Sequence, residues 1–322
     1  MNRRDLLTTS AAALAATALP AIAQAKSPAG ASMPNAPVPP VARKIPVTIE
    51  QLGRTRVDDY QWMKDDNWQA VLRDPSIIKA DVKEHLTAEN AYREAMMRST
   101  EPLQLELFEE MKGRIKEDDS SVPLPDGPWE YYTRFETGQQ HPLYCRRPKG
   151  QSAGEVVLLD ANKLAEGKAY SSVGETEHSR DHSLFAYSED AQGSEVYRIF
   201  IKDIATDAFV SDPIESAMGG VTFSADGEWV FWVNRDDNGR SDKILKRPTR
   251  GGAITTVYEE PDDGMYMGLD LSSDDKFILI SSGNGEQTEY RFVPADQPEA
   301  TPTVIEPRRE ALRYDADHWG DR

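Results

Sequence analysis

A chain of 322 residues with 39% apolar content is long enough to bury one large core or two ordinary ones, and that composition excludes a chain disordered throughout. Its 55 Asp and Glu outnumber its 37 Lys and Arg, and the net charge of −18 disfavours nucleic acid and favours cationic partners. Cys145 is the single cysteine, so no disulfide within the chain can staple the fold.

Residues 1–25 read as a targeting segment. Arg3-Arg4 precedes an apolar run, Leu6 to Leu19, and both Ala21-Ile22-Ala23 and Ala23-Gln24-Ala25 fit a small-x-small cleavage site. The paired arginines followed by Asp5-Leu6-Leu7 resemble a twin-arginine export signal, which implies a periplasmic mature protein; an ordinary secretory signal is the alternative. The run is too short and alanine-rich for an anchor, so no membrane is expected in the mature form. Residues 26–43 are rich in Pro, Ala and Ser and read as a linker. Residues 44–122 form the next unit. It starts with an extended stretch, Lys44 to Gly53, and turns helical from Pro75 to Met111. Val82, Leu86, Asn90 and Ala91 share one helical face, and Leu103, Leu107 and Met111 share another after Pro102, which predicts two helices.

From residue 123 onward a unit recurs. It reads Ser179-Arg180-Asp181-His182-Ser183-Leu184-Phe185, then Ser224-Ala225-Asp226-Gly227-Glu228-Trp229-Val230, then Ser272-Ser273-Asp274-Asp275-Lys276-Phe277-Ile278, with a weaker fourth copy at Arg313 to Trp319. The shared aspartate returns every 43 to 48 residues. In each copy a polar turn, in which an aspartate can bond nearby N–H groups, feeds an apolar β-branched or aromatic run. Within one period, Trp229 to Val233 reads as a strand buried on both faces, and Asp242 to Pro248 and Ala253 to Tyr258 as two further short strands. A period of about 40–50 residues holding four strands is the mark of a β-propeller blade; an all-β sandwich is the alternative. The expected fold class is all-β: a partial β-propeller of about four blades over residues 123–322, preceded by a short helical segment. Unclosed, such a set of blades would leave an apolar face at Leu271 and Phe277 to Ile280.

Four segments add a resemblance. Asp58-Asp59-Tyr60-Gln61-Trp62-Met63-Lys64-Asp65-Asp66, Leu86-Thr87-Ala88-Glu89-Asn90-Ala91-Tyr92, Met111-Lys112-Gly113-Arg114-Ile115-Lys116-Glu117-Asp118-Asp119 and Leu158-Leu159-Asp160-Ala161-Asn162 are similar to the prolyl oligopeptidase family, and most of all to its oligopeptidase B branch. The resemblance runs from about Pro37 to the last residue. It implies a seven-bladed propeller whose ring limits access to a following α/β-hydrolase domain, so that only short peptides are cut, after Arg or Lys in this branch. The N-terminal helices would then pack on that hydrolase domain.

The chemistry of such an enzyme needs a Gly-x-Ser-x-Gly turn to carry the nucleophile. No serine is assigned here to such a turn between a strand and a helix. Gly193-Ser194-Glu195 falls in a hairpin loop and lacks the second glycine. With the chain stopping inside a repeat, the expectation is the N-terminal, substrate-gating part of a serine oligopeptidase, inactive by itself; a non-catalytic periplasmic propeller for binding or scaffolding is the other reading. Expected partners are short basic peptides and the missing α/β-hydrolase domain. No residue is assigned a catalytic, cofactor-binding or metal-binding role. His178 and His182, four apart, would suit a metal on a helix, but they fall in the turn before a strand. The pairs Asp118-Asp119, Asp236-Asp237 and Asp262-Asp263 read as solvated turns, and Tyr131, Tyr132, Phe135, Trp229 and Trp232 as filling between sheets.

Overall fold

The structure, a computed structural model, describes residues 36–321, so the targeting segment lies outside it. The stretch expected to be simply extended folds back on itself. β1 (Val47–Gln51) pairs antiparallel with β2 (Arg54–Asp58) around Leu52-Gly53, both at positive φ. Three α-helices follow where two were expected: α1 (Trp68–Arg73), α2 (Ala80–Met97) and α3 (Glu101–Gly113), the last opening with Pro102 in its first turn. The spacing of their apolar residues is helical, but little covers them. Only Val82 of α2 is buried, while Leu86, Leu103, Leu107 and Met111 are all 45–60% exposed. No helix among the described residues is long and apolar enough to cross a membrane.

Four blades of antiparallel strands follow. Blade 1 is β3 (Leu124–Asp126), β4 (Trp129–Arg134), β5 (Leu143–Pro148) and β6 (Val156–Asp160). The short α4 (Ala161–Ala165), capped by the Asp160 side chain, leads on to blade 2. Blades 2 and 3 run together as one seven-stranded sheet of β7 (Ser172–His178), β8 (Leu184–Asp190), β9 (Tyr197–Asp203), β10 (Ile214–Phe223), β11 (Trp229–Arg235), β12 (Ser241–Pro248) and β13 (Thr255–Glu259). Their shared member is β10, whose first half pairs with β9 and whose second half pairs with β11. The register breaks between Ala217 and Val221, where Gly219 adopts φ 116°, a value glycine alone adopts without strain. Blade 4 is β14 (Tyr266–Leu271), β15 (Phe277–Gly283), β16 (Thr288–Pro294) and β17 (Thr303–Glu306).

Each pair of neighbouring blades encloses an apolar layer. Phe185, Tyr187, Leu158 and Leu159 fill the first, with Tyr131 packed against them. β11 shows why its strand reads as apolar on both faces: Val230 and Trp232 enter the layer against blade 2, and Phe231 and Val233 the layer against blade 4. Trp229 packs at the edge of the same layer, whereas Tyr132 turns its hydroxyl to Glu155 and Phe135 stays 38% exposed.

Two expectations are corrected. The fourth copy, Arg313 to Trp319, forms no strand. Its Asp317 instead accepts from Ser273 N at 2.8 Å, and His318 Nδ1 lies 2.9 Å from Asp274 Oδ2. The apolar face expected to open on blade 4 is only partly bare. Ile278 and Ile280 point inward to blade 3, Leu279 is buried, and the His318 ring sits edge-on to Phe277 at 4.8 Å.

Candidate functional site

The turn between the first two strands of a blade is built the same way in blades 2, 3 and 4. In each, a buried serine (Ser179, Ser224, Ser272) donates its hydroxyl to an aspartate two residues on (Asp181, Asp226, Asp274) at 2.5–3.0 Å and accepts from the backbone N–H five residues on (Leu184, Trp229, Phe277) at 2.9–3.0 Å. The residue after the aspartate is left-handed each time: His182, Gly227 and Asp275, with φ 60, 72 and 57°. Blade 1 turns at Asp126-Gly127, where Gly127 is also left-handed at φ 50°, but Leu124 stands where the other three blades have serine. Sequence comparison of repeats overlooked it, although Asp126-Gly127-Pro128-Trp129 copies Asp226-Gly227-Glu228-Trp229 residue for residue except one.

These turns bring charged side chains together from separate blades. Asp126 of blade 1, Glu177, His178 and Arg180 of blade 2, and Asp275 of blade 4 line one pocket, floored by blade 3 at Phe223 to Ala225. The His178 ring stacks on Tyr131 at 4.0 Å between centroids, and its Nε2 lies 3.4 Å from Asp126 Oδ2. His182 Nδ1 lies 2.9 Å from the Tyr131 hydroxyl. Its ring crosses directly over Gly127, where a Cβ would stand 2.5 Å from Nε2, so the site admits only glycine there without a shift. The turn is held from below by Arg146, which donates to the His182 carbonyl at 2.6 Å and lies over the Trp129 ring.

The electrostatics of the pocket follow from its burial and its excess of carboxylates. Burial pushes the Glu177 carboxyl up to about 7, with Asp275, Asp270 and Asp126 adding to the effect. Asp275 is raised by burial and then by Asp126, and His178 is lowered by burial. Three carboxyl groups and one imidazole against one guanidinium make a place where cationic groups are drawn in.

The remaining sequence candidates lie elsewhere. Gly193-Ser194-Glu195 forms the loop between β8 and β9, and the Ser194 and Glu195 carbonyls accept from Arg235. Asp236 accepts from the N–H groups of Asn238 and Arg240, Asp237 pairs with Arg73 of α1, Asp262 accepts from Gly264 N, and Asp263 pairs with Arg240. Asp119 pairs with Lys116. Apart from Asp118, the members of these acidic pairs are engaged within their own turns or with nearby bases. The histidines that local spacing set aside, by contrast, meet a third group 52 residues before His178, which no local pattern could have supplied.

Comparison with known proteins agrees with the architecture. The family model described as prolyl oligopeptidase, N-terminal beta-propeller domain, matches residues 39–322. The chain is 37% identical over 306 residues to dipeptidyl aminopeptidase BI of Pseudoxanthomonas mexicana, covering 89% of this chain and 41% of that protein. It is 31% identical over 292 residues to protease 2 of Moraxella lacunata, covering 88% and 41%. The structure of oligopeptidase B from Leishmania major superposes with a TM-score of 0.79 at 28% identity, over 88% of this chain and 41% of that one. The chain thus spans about two-fifths of the length of the relatives it matches.

Proposed function

The chain belongs to the prolyl oligopeptidase family, in which it matches the N-terminal β-propeller, and from that premise we propose that it is the substrate-gating part of a serine oligopeptidase acting on short peptides after Arg or Lys. The observation that supports this reading best is the acidic pocket where the turns of all four blades meet, with Asp126, Glu177 and Asp275 facing one space. A wall of that sign draws cationic peptides toward it and repels acidic ones. The hydrolytic step belongs to a nucleophile on a Gly-x-Ser-x-Gly turn between strand and helix, whereas the one match in this sequence, Gly150-Gln151-Ser152-Ala153-Gly154, lies in the exposed loop between strands β5 and β6. By itself the chain is a gate without the chemistry.

The test is an assay of the purified chain on fluorogenic peptides ending in Arg or Lys at the scissile bond. Turnover no greater than buffer is expected, because no serine among the described residues is hydrogen-bonded to a histidine or lysine side chain that could activate it. Hydrolysis that a serine-directed phosphonate abolishes would overturn the reading. The gating part is tested by joining the chain to the hydrolase portion of a relative. Replacing Asp126 and Asp275 with asparagine should then raise KM for basic peptides more than for neutral ones.

A further inference from the structure

We propose that Asp126, His178 and His182 form a binding site for a divalent transition-metal cation of the zinc class, which ties the β3–β4 turn of blade 1 to the β7–β8 turn of blade 2. One ligand atom from each of the three lies within 4.8 Å of the others. A cation bound at about 2.0–2.2 Å with tetrahedral geometry separates its ligand atoms by roughly 3.3–3.6 Å. The His178 Nε2 to Asp126 Oδ2 distance of 3.4 Å already has that value. The other two separations stay within 4.8 Å, and Asp126, with its side chain 49% exposed, sits on the β3–β4 hairpin.

Both imidazoles are oriented as metal ligands are. A coordinating histidine offers one ring nitrogen and has the other fixed by a hydrogen bond, which sets the tautomer and the ring plane. His178 Nδ1 faces the Ser179 carbonyl at 3.3 Å and so leaves Nε2 toward Asp126. His182 Nδ1 is held by the Tyr131 hydroxyl at 2.9 Å, which leaves Nε2 as its free nitrogen. Tyr131 therefore serves both rings, stacking on one and bonding the other. Two imidazoles and one carboxylate are a donor set that suits zinc and its first-row neighbours better than magnesium or calcium, which prefer oxygen alone. Three protein ligands leave a fourth position, an opening that water fills to complete the shell. Glu177 and Asp275 add negative charge around that opening, and Arg180 is the single opposing cation among the pocket's side chains.

Isothermal titration of the chelator-treated full chain with zinc chloride should show one equivalent bound, and cobalt(II) at the same site should give the visible absorption of a tetrahedral ion. Zinc should also raise the thermal midpoint, because a ligand of the folded state stabilises it by mass action. Asp126→Asn and His178→Ala should each weaken zinc binding at least tenfold, and Tyr131→Phe, which removes only the bond to His182 Nδ1, should weaken it about tenfold. His85→Ala, a histidine on α2 paired with Glu89, should leave it unchanged. Absence of zinc binding in the wild-type chain, or equal binding by wild type and Asp126→Asn, overturns the proposal. The half-exposed Asp126 makes its variant safe for folding, so the answer does not depend on a destabilised protein. No arm of the experiment uses peptide hydrolysis, and its outcome is independent of the gating role.

Discussion

Ser224 shows how much one hydroxyl holds in this fold. It donates to Asp226 Oδ1 at 2.5 Å and accepts from Trp229 N at 3.0 Å, while the Ser224 backbone N–H donates to the Trp229 carbonyl at 2.9 Å. The hydroxyl is buried, so removing it strands the Trp229 N–H without its partner. Ser224→Ala should cost about 1–3 kcal/mol in urea unfolding, the range for an unmet buried donor. The same bond works on Asp226, whose carboxyl is held below its usual value near 3.8, first by the Ser224 hydroxyl and then by the Glu228 N–H. A depressed carboxylate stabilises the fold above the unfolded value and loses that contribution as pH falls through the folded one. Stability of the wild-type chain should therefore decline below about pH 4. In Ser224→Ala part of that acid dependence should disappear, and an identical pH profile in the two proteins would show that the turn N–H groups, such as that of Glu228, and not the hydroxyl set it.

Between elements, the blades are held chiefly by apolar layers and, at one place, by a buried ion pair. Arg308, in the segment after β17, reaches Glu260 after β13, with Nη2 2.6 Å from Oε2, and the same carboxylate accepts from the Ser282 hydroxyl of β15. The Glu260 side chain is fully buried, so blade 3 presents a carboxylate that only blade 4 neutralises. Burial raises its carboxyl, and the bonds from Arg308 and Ser282 more than offset that, leaving it below its usual range. Arg308→Ala removes the largest offset and leaves burial opposed only by the Ser282 hydroxyl and the Asp262 N–H, so the carboxyl moves up. The loss should be about 3–5 kcal/mol at pH 7, as for other broken buried pairs. It should shrink toward pH 5, because a carboxyl whose folded value is raised favours the folded state below its unfolded value and loses that as pH rises. Denaturant melts of wild type and variant at the two pH values measure this, and a loss that is equal at both would mean that Glu260 has found another partner.

At the scale of the molecule, the β part and the helical part differ in kind. The blades bury Val230, Phe231, Trp232, Ile278 and Ile280 almost completely, whereas α2 and α3 leave Leu86, Leu103, Leu105, Leu107, Phe108 and Met111 in contact with solvent. A run of large apolar side chains along exposed helices exceeds what a soluble monomer ordinarily shows and marks a surface made to be covered. The purified chain should bind the dye ANS strongly. Replacing Leu103, Leu107 and Met111 with glutamate should remove much of that binding, while the denaturation midpoint moves by no more than exposed substitutions allow, roughly 0.5 kcal/mol each. A large fall in stability would show instead that these side chains already have a partner within the chain.

The blades were legible in the sequence because a serine, an aspartate and a left-handed residue make their turn from local bonds alone, and because β11 alternates nothing: its unbroken apolar run can only lie between two sheets. The helices were legible by period, though their number and the β1–β2 hairpin were not, since Leu52-Gly53 gives a weak turn signal and α1 is barely a turn and a half. What the sequence could not give was adjacency. Whether Arg313 to Trp319 begins a strand or folds back over blade 4 depends on the bonds offered by Ser273 and Asp274, some 44 residues away. Whether two histidines four apart form a site depends on Asp126 arriving from another blade and on Gly127 leaving room for the ring. Local hydrogen bonds are written in neighbouring residues and can be read there; the meeting of turns from separate blades is fixed only when the sheets stack, and only the tertiary structure decides it.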